Sequence, residues 1–255
     1  MKIRIRLAGV AMAAALCIGP FGTRVRAQTA PSAERGDHDP LEPVNRRIFW
    51  FNEQVDRFVL KPVATGYDKI TPQPVQKSLS NFFANLRFPI VTVNELLQGK
   101  ILRAVSDVGR FGVNTTVGIL GFFDPASGWG LEQHNEDFGQ TLGVWGIPPG
   151  PYLVLPFLGP SDPRDTVGLA VDSIAAVYPW FVAIQYTAAA YTVNVVNARA
   201  QVLKEVDQAK QAALDYYVFV RNAYLQRRKA LVRDEAEPSA QEQENLYEVE
   251  TDNDK

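Results

Sequence analysis

Apolar positions recur at helical spacing through most of the chain. Val44, Ile48, Phe51, Val55, Phe58 and Val59 step mostly by three and four residues, which marks a stripe along one side of an α-helix. Pro43 falls where a first turn tolerates proline, and Pro62 lies just beyond the last apolar step. The pattern therefore predicts a helix that stops before Pro62. Val75, Leu79, Phe82, Phe83 and Leu86 repeat the rhythm up to Pro89. Ile101, Val105, Val108 and Gly112 predict another helix, with a short one over 89–99 before it. Asp162-Pro163-Arg164-Asp165 sets an N-cap residue ahead of a proline at the first helical position, opening a helix to about Val177. Two long helical stretches follow Pro179, over 180–205 and 206–232. Alternation with period two is confined to Tyr152–Phe157, a weak strand. The predicted fold is all-α, a compact body of several helices with apolar Gly/Pro-rich loops.

Two features complicate a simple soluble bundle. Phe49 and Trp50 widen the apolar surface of the first helix, leaving Arg46, Arg47, Glu53 and Asp56 on the remainder. A helix apolar over so much of its circumference is buried on several sides, in protein or in lipid. From Glu136 to Asp165 the chain reads EDFGQTLGVWGIPPGPYLVLPFLGPSDPRD. Glycines and prolines punctuate it, while Trp145, Tyr152, Leu153, Leu155, Phe157 and Leu158 lie between them. It is too broken for one helix or one central strand and too apolar for a solvated loop. It predicts a shaped loop covered by the core, a partner or lipid. Neither Phe111–Phe123, which contains Asn114-Thr115-Thr116, nor Val167–Ile184, which contains Asp172 and Pro179, reaches the uninterrupted span of about 20 apolar residues that crosses a bilayer. Both read as core helices or helices lying in a membrane interface.

The termini change the charge picture. Lys2, Arg4 and Arg6 precede an uncharged apolar stretch from Leu7 to Phe21, and Val25-Arg26-Ala27 supplies small residues at a cleavage site. Residues 1–27 thus read as a signal peptide cut between Ala27 and Gln28. The lone cysteine, Cys17, follows Leu16 rather than the small residue a lipoprotein signal requires. Lipidation of Cys17 and a retained anchor stay as alternatives. Cleavage after Ala27 leaves a chain without cysteine, excluding disulfides and thiolate metal sites. Residues 28–38 form a polar linker, 39–233 one domain, and 234–255 an acidic tail. That tail carries nine Asp or Glu against one Lys. The body between is close to neutral, with no basic field for nucleic acid.

Catalytic equipment is hard to find. His38 lies in the linker, and His134 sits in EQHNEDFGQ with Glu132, Glu136 and Asp137 nearby. No second histidine stands four residues away, so the spacing defines no metal site. Asp137 also suits a helix cap. Ser127 lacks the glycine frame of a nucleophile elbow, and Gly99-Lys100 lacks the glycine that a P-loop needs before it. No catalytic residue, cofactor or metal follows from the sequence, which argues against an enzyme.

Four blocks in register carry a resemblance: 39–64 (DPLEPVNRRIFWFNEQVDRFVLKPVA), 81–100 (NFFANLRFPIVTVNELLQGK), 110–131 (RFGVNTTVGILGFFDPASGWGL) and 136–165. Together the sequence resembles the MlaA (VacJ) family of outer-membrane phospholipid-trafficking proteins. The likeness covers about Asp39 to Asp172. Many members are lipoproteins, and Leu16 before Cys17 departs from that pattern. The resemblance implies a helical body in the inner leaflet of a Gram-negative outer membrane, on its periplasmic side. It further implies an amphipathic channel for phospholipid, association with trimeric porins, and hand-over to a soluble periplasmic carrier. Exposing two lipid chains to water costs on the order of 20 kcal/mol, and the chain has no nucleotide site to supply it. A conduit must instead offer a continuous apolar path with a polar strip. Candidate walls are Phe49, Trp50, Phe111, Phe122, Phe123, Tyr152, Leu155 and Phe157. Candidate head-group contacts are Arg110, Asn114 and Arg164. Each has a structural alternative, aromatic residues as core and arginines as ion pairs. Two other functions stay open: a lipid-active hydrolase using His134, and a porin-binding scaffold.

Overall fold

The computed structural model describes residues 39–176 and 184–235. The signal segment with its Ala27–Gln28 site, the linker, the Pro179 region and most of the acidic tail lie outside the described residues.

The first element departs from the sequence expectation. Helix α1 (Glu42–Val55) does not stop before Pro62 but runs through a π-helical turn, Asp56–Leu60, into α2 (Lys61–Ile70). Pro62 has no N–H, and its ring would strike the carbonyl four residues back. The wider turn absorbs one extra residue: Lys61 N–H donates to Asp56 O, five residues behind. The result is one rod of about 43 Å. Helices α3 (Gln73–Leu86), α4 (Phe88–Leu97) and α5 (Ile101–Thr116) follow as the spacing predicts. The expected Phe111–Phe123 stretch is helical only in its first part. Beyond Thr116 the chain turns back through Ile119 and Leu120, both at positive φ, to Gly121. A Cβ on Gly121 would fall 2.5 Å from that of Asn85 on α3, so only glycine lets this turn lie against the helix.

A short α6 (Pro125–Gly128) and α7 (Phe138–Val144) precede a hairpin, β1 (Leu153–Leu155) and β2 (Gly159–Ser161), in which Val154 pairs with Pro160. Two asparagines, Asn45 and Asn52, two turns apart on α1, complete it. Asn45 Nδ2 donates to Tyr152 O at 2.9 Å, and Val154 N–H donates to Asn45 Oδ1 at 3.0 Å. Asn52 repeats this with Leu155 O at 2.9 Å and Phe157 N–H at 2.8 Å. An amide side chain carries the same donor and acceptor as a peptide group, so α1 stands in for a third strand. Asn45→Leu leaves two buried backbone groups unpaired and should destabilise the fold by about 2–4 kcal/mol, read as a lower melting temperature in detergent.

Helix α8 (Pro163–Ala175) starts where expected, with the Asp162 carboxylate accepting Asp165 N–H at 2.8 Å. It crosses α7 so closely that a Cβ on Gly168 would lie 2.3 Å from Gly139 N. The C-terminal part is more divided than predicted. After α9 (Ile184–Gln201) come α10 (Leu203–Ala212) and α11 (Tyr216–Val232) rather than one helix over 206–232. Asp215 causes the second break: its carboxylate caps α11 through Val218 N–H at 3.2 Å and pairs with Arg46 at 2.7 Å.

Tyr152, Val154 and Tyr217 form the apolar core, with Ile48, Phe49, Val218, Tyr224 and Leu225 packed around them. The hairpin is thereby held between α1 and α11. Phe83, Val91 and Val202 are buried elsewhere, but many of the other buried side chains are polar. Among the described residues the largest fully buried side chains are Gln140, Glu95, Asn45, Asn197, Thr141 and Asp162.

Candidate functional site

Many large apolar side chains lie on the outside. Along the α1–α2 rod, Trp50 is 64% exposed, Phe58 68% and Ile70 81%, with Val59 and Val63 between them. Helix α5 shows Ile101, Leu102, Val105 and Val108; the turn after it shows Val117, Ile119, Leu120 and Phe123. The Gly/Pro block adds Trp145, Ile147 and Phe157. Apolar exposure repeated over several elements is far beyond the scattered exposure of ordinary soluble proteins and marks a surface covered by lipid or partner. Among the described residues no helix is long and apolar enough to cross a membrane. The geometry suits helices lying along an interface rather than through it.

Among the described residues, two partly open cavities are bordered by charge. The larger, about 370 Å³, lies between the Pro149–Tyr152 segment and α11. Arg164, Arg221, Arg228 and Lys229 line it with Asp39, Asp162, Tyr152 and Leu225. Its wall is built around Arg228, which donates to Asp137 Oδ2 at 2.7 Å and to Asp165 Oδ1 at 2.7 Å and also reaches Asp165 through Nε. Asp137 caps α7, as its sequence context allowed, accepting Gln140 N–H at 2.8 Å. Burial opposes its ionisation, but the Arg228 charge and hydrogen bonds hold it well below the usual carboxylate range. The smaller cavity, about 50 Å³, is bordered by Asn81, Asn85, Phe88, Arg110, Phe111, Asn114 and Asp124.

Asp172 on α8 behaves oppositely. Burial pushes it up to about 6, against a hydrogen bond from Phe138 N–H at 2.9 Å. A carboxyl whose folded value is raised holds its proton more tightly when folded, so its contribution is present below the unfolded value and is lost as pH rises through about 6. Between pH 4 and 6 this group should cost on the order of 2–3 kcal/mol of stability. Denaturant melts of wild type and Asp172→Asn across that window check it, since the variant should lose this slope.

The predicted path residues divide between exterior and interior. Trp50, Phe123 and Phe157 are exposed, and the Phe157 ring stands edge-on to Phe51 at 5.1 Å. Phe122 is half-buried and stacked on Phe82, and Phe111 is stacked on Phe88 beside the smaller cavity. Leu155 is half-buried in β1. Phe49 packs on Tyr216 and Tyr217, and Tyr152 is in the core while also lining the larger cavity. Arg110 and Asn114 are brought together on Asp124, at 3.0 Å and 2.9 Å, with Arg110 also bonded to Leu131 O. Arg164 pairs with Asp165 at 3.1 Å and lines the other cavity. The three candidate head-group contacts thus serve two cavities, not one, and both arginines are ion-paired. Sequence spacing missed Arg228, Asn45 and Asn52, which act across the fold. It also missed Glu95 and Asp107, which the fold sets beside His134.

The family described as MlaA lipoprotein matches residues 37–231. The chain belongs to the MlaA family. The intermembrane phospholipid transport system lipoprotein MlaA of Escherichia coli K12 is 32% identical over 254 residues, covering 98% of this chain and 97% of that protein. The Haemophilus influenzae protein of that name is 37% identical over 202 residues, covering 77% and 80%. A solved structure from work on the structural basis for maintenance of bacterial outer membrane lipid asymmetry has a TM-score of 0.68 at 34% identity, covering 76% of this chain and 99% of that one. The MlaA family match extends over α9, α10 and nearly all of α11, well past Asp172, where the sequence resemblance was expected to fade.

Proposed function

We propose that this chain is an outer-membrane phospholipid transporter that draws mislocalised phospholipid from the outer leaflet and delivers it to a soluble periplasmic carrier, maintaining lipid asymmetry. One observation carries the reading: large aromatic and aliphatic side chains stand exposed on several elements, while beside a small apolar core many buried side chains are amides, acids and arginines. An apolar exterior holds the protein in a leaflet, whether or not Cys17 bears lipid. A polar interior offers a head group a route that the membrane core denies it. Each exposed aromatic or aliphatic side chain taken into lipid contributes roughly 1.5–3 kcal/mol, so a handful of them anchors the body firmly. Transport then needs no covalent chemistry, because the lipid tails stay against an apolar surface throughout.

Within this reading the larger cavity, with Arg164 and Arg221, supplies the head-group strip, while Phe123, Phe157 and Trp50 meet acyl chains. Exposed apolar surface at the Gly/Pro block and after α5 also offers seats for a porin trimer. Deletion in the native bacterium should raise the phospholipid accessible from outside the cell, and the wild-type chain should restore it. Phe123→Asp is the sharper probe than a change at Phe122, whose stacking on Phe82 makes its loss a packing defect as well. A folded, correctly located Phe123→Asp protein should restore asymmetry poorly. Deletion without any change in surface phospholipid would refute the transport reading.

A further inference from the structure

One cluster of side chains takes no part in lining the larger cavity. Glu95 on α4, Asp107 on α5 and His134 between α6 and α7 each place one potential ligand atom within 4.8 Å of the others. His134 Nδ1 lies 3.3 Å from Asp107 Oδ1 and 3.5 Å from Glu95 Oε1. Glu95 is wholly buried, and Asp107 is 6% exposed. Neither carboxylate oxygen of Glu95, nor Asp107 Oδ2, has a hydrogen-bond partner.

Acceptors therefore face acceptors where the protein supplies them no hydrogen-bond donor. An imidazole N–H at Nδ1 can serve one oxygen, leaving the others bare. The neighbouring cations are engaged elsewhere. Lys100 pairs with Glu136 at 3.0 Å and with Asp234, Arg103 pairs with Asp234 at 2.7 Å, and Arg110 pairs with Asp124 at 3.0 Å. Buried charges in proteins are paired or coordinate metals, and among the described residues Lys100, Arg103 and Arg110 each make their ion pairs with other acids than these two carboxylates.

We propose that Glu95, Asp107 and His134 form a binding site for a divalent first-row metal ion, with Zn²⁺ the best match. Zinc bonds of about 2.0–2.2 Å in a tetrahedron set neighbouring ligands about 3.3–3.6 Å apart, which is the spacing found between His134 and each carboxylate. Ca²⁺ takes six to eight oxygen ligands and Mg²⁺ keeps an octahedral, water-rich shell, so three ligands including an imidazole suit neither. His134 and Asp107 also border the smaller cavity, whose roughly 50 Å³ has room for a water as fourth ligand. The ion would fasten α4, α5 and the segment before α7 to one another, beside the charged cluster of Arg110 and Asp124. The site is independent of the transport reading: either can fail alone.

The test is calorimetric titration of the full-length chain, stripped by chelator and held in detergent, with ZnCl₂ and separately with MgCl₂ and CaCl₂. One Zn²⁺ should bind per chain, with Mg²⁺ and Ca²⁺ giving no saturable heat at the same concentrations. Glu95→Gln and His134→Ala should each weaken zinc by at least about tenfold, whereas His38→Ala should bind as wild type. X-ray absorption of the zinc-loaded wild type needs no variant to fold. It should show a single imidazole nitrogen with oxygens at about 2.0–2.1 Å. No saturable zinc binding overturns the site and leaves a proton shared between the two carboxyls as the neutralising species. An oxygen-only or two-imidazole shell, or binding lost only in His38→Ala, also overturns it.

Discussion

Arg228→Met should destabilise the protein by about 3–5 kcal/mol, the range for breaking a buried ion pair by removing one partner. Arg228 stands between two acids on different helices, Asp137 at the N-terminus of α7 and Asp165 in the first turn of α8. It reaches them from α11, and Tyr224 one turn earlier adds a hydrogen bond from its hydroxyl to Asp165 at 2.6 Å. Without the guanidinium, Asp137 loses its ion pair, and Asp165 keeps only its ion pair with Arg164 at 3.1 Å. Methionine fills the volume but supplies no charge. Arg228→Lys should fall between, because an ammonium cannot serve both acids in a fixed fork. Equilibrium unfolding in detergent at pH 7 measures the loss. At pH near 4 the deficit should shrink, since Asp137, no longer held low by Arg228, can take up a proton. A loss below about 1 kcal/mol would mean that the junction is wetter than its burial indicates.

Trp50→Asp combined with Phe58→Asp should detach the protein from lipid while leaving it folded. Both side chains are about two-thirds exposed on the α1–α2 rod. Each gives up roughly 1.5–3 kcal/mol of burial on leaving the membrane, so the pair should lower partitioning onto vesicles at least 100-fold, at 1.4 kcal/mol per decade. Vesicle flotation gives the bound fraction, and circular dichroism confirms that the helices persist. Phe49→Asp is the contrasting control, because its ring packs on Tyr216 and Tyr217, and its loss should unfold rather than release. Equal binding by wild type and the double variant would remove the rod from the membrane contact. The protein interface of a partner would then be the better account of its apolar face.

Much of this architecture is legible in the sequence because local rules decide it. Apolar spacing marked α1, α3, α4 and α5, and Asp162-Pro163 marked the start of α8. Proline at 62 misled, since a π-turn relieves its clash by widening the helix rather than ending it. The single stretch predicted over 206–232 failed because Asp215 makes a cap bond and an ion pair that a continuous helix would forgo. Both corrections concern residues whose effect depends on a partner or a geometry beyond the local window.

The polarity of the interior is the larger lesson. Periodicity locates an apolar stripe but not what the stripe faces, so the sequence left the first helix between protein core and lipid. By itself it determined the helical class, the capped start of α8 and the family likeness. These follow from backbone sterics, hydrogen-bond capping and helical spacing, all of which act within a few residues. Only the tertiary structure decided which apolar stripes stay exposed and which amides and acids are buried. It alone set Asn45 against the hairpin, Arg228 between two helix starts, and Glu95 and Asp107 around His134. Those partners lie tens to more than a hundred residues apart, and close packing fixes which of many polar side chains meet.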